Sequence, residues 1–140
     1  MFINKYSYGF RAHEDLIREH IGKRFGILER LRMGGAGSER MAVAGASEGM
    51  KEFVLLSASI TYANIELRPN GLVVILAKDI RRLAWVIPYT SLSLFQSGTM
   101  NLYAGQEYLQ LQCSAQRHYQ FFHKLQRTKA LWISAHSLPV

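Results

Sequence analysis

The chain has 140 residues, 49% of them hydrophobic and 19% charged, with a formal net charge of +7 at neutral pH. That length suits one domain able to bury a core without staples, and the composition excludes disorder along the whole chain. A single cysteine, Cys113, excludes an internal disulfide and fits a reducing compartment.

The opening residues Met1-Phe2-Ile3-Asn4-Lys5 lack the apolar run of a secretory signal. The expected location is therefore cytoplasmic, with peripheral attachment to a membrane left open. Residues 12–33 form the first expected helix. Phe10, Ile17, Ile21, Phe25, Leu28 and Leu31 fall in one sector at the helical period, and Glu14/Arg18 and Glu19/Lys23 are favourable i,i+4 pairs. Gly22 and Gly26 are costly inside a helix, so a bend or fraying near Gly26 is expected rather than a pairing motif. Residues 34–52 read as a Gly/Ala-rich mobile linker, because 11 of the 16 residues from 34 to 49 are Gly, Ala or Ser. A short helix with Ser38 as its N-cap is the competing reading.

Strand signals fill residues 53–112. Residues 53–67 suit one long strand or two short ones, with Thr61, Ala63, Ile65 and Leu67 on a shared face. Pro69-Asn70-Gly71 signals a turn. Leu72-Val73-Val74-Ile75-Leu76 suits a strand covered on both faces. After the charged turn Lys78-Asp79-Ile80-Arg81-Arg82, further strands are expected at 83–87, 92–96, 101–104 and 107–112, with turns at Pro88, Ser97-Gly98 and Gly105. In the last of them Leu109, Leu111 and Cys113 alternate with Tyr108, Gln110 and Gln112. The long uncharged run 83–106 holds Pro88, Asn101 and several serines, so it is not a transmembrane helix. A final helix is expected over 115–133, with Ser114 as N-cap, Phe121, Phe122, Leu125 and Trp132 as its apolar face, and Arg117, Lys124 and Arg127 along one flank.

The expected class is thus α+β: an antiparallel β-barrel or sandwich of six or seven strands, capped by a C-terminal helix and preceded by an extra helix. Its parts are a helical extension over 1–33, a linker over 34–52 and the main domain over 53–140. The segments Ile65-Glu66-Leu67, Asn70-Gly71-Leu72-Val73-Val74 and Trp85-Val86-Ile87-Pro88-Tyr89-Thr90-Ser91-Leu92 sharpen this reading. On them, residues 59–127, about half the chain, resemble bacterial pleckstrin-homology-like (PH-like) domains, in which a strand ends in an Ile-Pro-Tyr-Ser-like turn. The resemblance implies a protein-interaction or self-assembly module. In phosphoinositide-binding relatives the basic residues cluster on the first two strands and their loop. Here that loop offers only Arg68, and the cluster Lys78, Arg81 and Arg82 lies one turn later.

No constellation for catalysis or for a cofactor stands out. His13 and His20 sit about 10 Å apart along a helix axis, and His118 and His123 point about 140° apart, so neither pair suits one metal ion. Cys113 is expected to face inward, and Gly34-Gly35-Ala36-Gly37 lacks the lysine of a phosphate loop. The charge is uneven: residues 113–140 carry four basic and no acidic groups. The candidate ligand-binding residues are therefore Lys78, Arg81 and Arg82 in the turn, and Arg117, Lys124 and Arg127 on the last helix. They suit an anionic lipid surface or another anionic ligand. Nucleic acid is disfavoured because Phe121, Phe122 and Trp132 are expected in the core. The first expectation is a non-enzymatic module that binds a protein partner or forms a homo-oligomer; the alternative is an anionic-ligand binder.

Overall fold

A computed structural model describes residues 2–5, 13–55 and 59–137. Its elements are β1 (Phe2–Lys5), α1 (Glu14–Ile21), α2 (Ile27–Arg32), β2 (Met41–Ala46), α3 (Glu48–Leu55), β3 (Tyr62–Arg68), β4 (Gly71–Lys78), β5 (Arg81–Pro88), β6 (Leu92–Gln96), β7 (Thr99–Ala104), β8 (Glu107–Gln112) and α4 (Gln116–His136), with a 3-10 turn at Tyr89–Ser91. None of the helices is long and apolar enough, among the described residues, to cross a membrane.

The strands form one sheet in the order β1-β5-β4-β3-β2-β8-β7-β6, with every pairing antiparallel. The sheet is not closed as a barrel would be: β1 and β6 are its two edges. The expected turns are where the strands reverse. Pro69 and Asn70 join β3 to β4, and Gly98 and Gly105, both at positive φ, sit in the β6–β7 and β7–β8 turns.

The segment read as a linker departs most from expectation. Residues 41–46 are β2, which pairs with β3 through Met41↔Ala63 and with β8 through Val43↔Leu111 and Ala46↔Leu109. This strand joins the two halves of the sheet. Small side chains supply little apolar bulk, but the ladder hydrogen bonds on both sides do not depend on bulk. Residues 48–55, partly read as strand, are α3; its Met50 is fully buried. A short apolar run such as Phe53-Val54-Leu55 does not reveal its period.

Cross-strand pairs sort the core into two layers. Leu72↔Ile87, Val74↔Trp85 and Leu76↔Leu83 lie in the main cluster, with Ile65, Leu102, Leu109 and Leu111 of other strands and Phe121, Phe122 and Leu125 of α4. On the opposite face Val73↔Val86 and Ile75↔Ala84 meet Ile17 and Ile21 of α1 in a second cluster. This second layer is why β4 is apolar on both faces. Burying one isoleucine contributes about 1.5–3 kcal/mol, so the two are the main adhesive of α1.

The expected single helix over 12–33 is two helices. Its proposed start and Phe10 lie outside the described residues. Gly22 adopts φ +87 and ψ 168, a region that is essentially glycine-only, and the chain turns there before α2 begins. The N-terminus of α4 also differs: Ala115, not Ser114, is the N-cap. The His118 ring does the capping, its Nδ1 accepting from the Ser114 and Ala115 N–H groups at 3.1 and 3.3 Å. Its Nε2 lies 3.1 Å from the Arg40 carbonyl, which fits donation from that nitrogen.

Candidate interaction surface

α2 is amphipathic and turned the wrong way for a core helix. None of its six residues is buried. Ile27, Leu28 and Leu31 lie within about 100° of arc and are 70%, 70% and 73% exposed. The helix is held by its flanks: Phe25 before it and Met33 after it pack partly buried against the main core. Gly34, at φ +74, follows the C-cap Met33. Its N–H and that of Gly35 return to the carbonyls of Leu31 and Arg30 at 3.3 and 2.7 Å, a glycine-based helix stop. Lys124 of α4 then donates to the Gly34 and Gly35 carbonyls, each at 3.1 Å. The lysine ties α4 to the end of α2.

Between these two helices lies a groove of about 650 Å³. Phe25, Met33 and Leu131 give it apolar lining, and Arg32, His123, Lys124 and Arg127 bring it basic groups. Glu29 also lines it and pairs with Arg32 at 3.7 Å. With Glu29 and Arg32 facing α4, the apolar stripe of α2 points outward as a ridge.

A second cluster fixes α1. Arg68 is 2% exposed. It donates to Glu66 at 2.8 Å, to both carboxylate oxygens of Glu14 at 3.0 and 3.2 Å, and to the Gly22 carbonyl at 3.0 Å. Arg24 reaches Glu66 at 3.3 Å. Tyr89 is buried and donates its hydroxyl to the Arg68 carbonyl at 2.9 Å. Burial pushes the Tyr89 hydroxyl pKa well above its ordinary value.

The six basic residues picked from sequence have different surroundings. Lys78 is buried and donates to the Val54 carbonyl in the last turn of α3. It serves as a C-terminal cap of that helix. Arg82 donates to the Asp79 and Arg81 carbonyls at 2.9 and 2.8 Å, and the Arg81 guanidinium stands 5.5 Å from the centre of the Phe53 ring. Arg117 is exposed and pairs with Glu39 at 2.7 Å. Lys124 and Arg127 share a site, the α2–α4 groove. Arg127 is exposed and has no polar partner among the described residues. The apolar lining from Phe25 and Met33 escaped the sequence reading, which ran one helix through both. The signal available was the Gly22/Gly26 pair, which divides that helix.

His118 and Cys113, close in sequence, do different things. The histidine is a structural cap. The thiol is half-buried, and its pKa is raised by burial against a smaller lowering from a backbone hydrogen bond at Met100. A raised pKa leaves little nucleophilic thiolate. No group of three or more His, Cys, Asp or Glu among the described residues is arranged to hold a metal ion. Compared with known proteins, the chain matches no family model, no curated protein and no solved structure.

Proposed function

We propose that this protein is a non-enzymatic, PH-like interaction module of the cytoplasm that binds protein partners or assembles with itself. The observation that carries the reading is the ridge Ile27, Leu28 and Leu31, three large aliphatic side chains on one helix, each at least 70% exposed. Contiguous apolar exposure of this kind marks interaction surfaces. The PH-like part is supported by the antiparallel order that brings β2 beside β8, and by a C-terminal helix whose Phe121, Phe122 and Leu125 join the core. The alternative, an anionic ligand held by the basic turn and the α4 flank, has less support, because Lys78 is buried and Arg82 is engaged by backbone carbonyls.

The test is the triple substitution of Ile27, Leu28 and Leu31 by Gln. Wild-type protein is expected to self-associate in analytical ultracentrifugation or to retain a specific partner in pull-down. The variant should lose that association with an unchanged circular dichroism spectrum. A wild-type monomer at the highest soluble concentration, with no partner recovered, defeats the proposal.

A further inference from the structure

The α2–α4 groove has a chemistry of its own, distinct from the ridge on the far side of α2. We propose that it is a docking site for an acidic amphipathic helix of a partner protein. This rests on the interaction-module reading above and names the class of partner.

Charge complementarity fixes the sign of the occupant. α4 carries no aspartate or glutamate from Gln116 to His136. Glu29 is the one carboxylate lining the groove among the described residues, and Arg32 already pairs with it. Lys124 and Arg127 are left without a carboxylate partner among the described residues. A partner bearing Glu or Asp along its flanks meets these cations, while a basic partner is repelled.

The walls fix the conformation. Both are helices, so the groove offers no strand edge to an extended peptide. A docked segment must satisfy its own backbone, which a helix does. The α4 wall runs from Gln120 to Leu131, about three turns at the helical rise. Phe25, Met33 and Leu131 then receive apolar side chains at the i, i+3/i+4, i+7 spacing of a helix in a groove.

A second copy of this chain fits less well. Its net charge is +7, and its own α2 stripe is flanked by Arg30 and Arg32. Its two net-acidic helices bury apolar residues at home, Ile17 and Ile21 in α1 and Met50 in α3. A membrane is also disfavoured, because a lipid surface cannot fill a concave site between two helices.

The experiment uses the full chain and a labelled synthetic peptide of about four helical turns, with Leu at the groove spacing and Glu on both flanks. A control peptide carries Lys in place of every Glu. Binding is read by fluorescence anisotropy at low salt and mapped by amide chemical shifts. The acidic peptide is expected to bind, to weaken as salt rises, and to perturb Phe25, Met33 and Leu131. Arg127→Glu and Leu131→Gln, both at exposed positions, should each weaken it by roughly tenfold or more. Equal binding of the lysine peptide, wild-type affinity in both variants, or no binding of the acidic peptide overturns the proposal. If shifts centre on Ile27, Leu28 and Leu31, the groove is wrong and the interaction module stands. If the groove residues respond instead to protein concentration or to phosphatidylglycerol vesicles, the occupant is a second copy or a membrane, and the acidic helix is rejected.

Discussion

α1 and α2 follow one another in sequence with the same kind of amphipathic pattern, and they meet opposite fates. Ile17 and Ile21 of α1 are buried, whereas Ile27, Leu28 and Leu31 of α2 face outward. The difference lies in what the sheet offers beneath each. Under α1, Val73, Ala84 and Val86 form an apolar floor, and Gly71 lets Ile21 approach, since a Cβ there would collide with Ile21 and with the Ile87 carbonyl. α2 meets the rest of the molecule through its flanks, Phe25 and Met33, and through its polar side. A helical stripe therefore says which residues share a face; the partner surface decides whether that face turns in or out.

The most damaging way to break this contrast is to release α1. Arg68→Ala removes the guanidinium that ties Glu14, Glu66 and the Gly22 carbonyl together. It should destabilise the protein by about 3 kcal/mol, the low end for a severed buried ion pair, since the two carboxylates are partly exposed and Arg24 stays beside them. Denaturant unfolding measures the loss. Amide exchange should show it as lost protection at Ile17 and Ile21, with α2 little changed. Loss spread evenly over both helices would mean that they form one unit.

Gly22→Ala tests the turn that separates the two helices. Glycine there sits at φ +87, and an added Cβ would press on the Pro69 ring at 3.3 Å. The expected cost is about 1–3 kcal/mol, the range for a side chain forced into that region of backbone space. A neutral result would show that residues 22–26 can rearrange, and that the outward turn of α2 is not fixed by this peptide.

The contrast also marks how far the sequence was legible. Pro69-Asn70-Gly71, the β8 alternation and the α4 stripe could all be read, because each rests on local chemistry: turn geometry, period two, period 3.6. β2 could not, since Met41-Ala42-Val43-Ala44-Gly45-Ala46 is held by backbone pairing to strands distant in sequence. Gly22 and Gly26 hinted at a break, but nothing local says that Leu28 and Leu31 face outward. At the groove, Arg127 and Lys124 were visible as a charged helix flank. Lys78 looked equivalent, and only the distant Val54 carbonyl makes it a cap.

The mildest change is the most discriminating for α2. Gly26 is its N-cap, with φ −67 and ψ 169, and no side chain caps the helix there. Nothing lies within 4 Å of a Cβ added at this position, so Gly26→Ser fits without strain. Serine brings an acceptor for the free N–H groups of the first turn and restricts the unfolded chain. Together these gains are worth about 0.5 kcal/mol. Because α2 buries none of its own residues, the gain should appear as slower amide exchange within Ile27–Arg32, with the global unfolding midpoint nearly unchanged. A preformed α2 loses less entropy on docking, so any partner held by its ridge should bind the serine variant slightly more tightly. An equal rise in global stability would instead mean that α2 unfolds only with the core, and the contrast between the two helices would then be one of orientation alone.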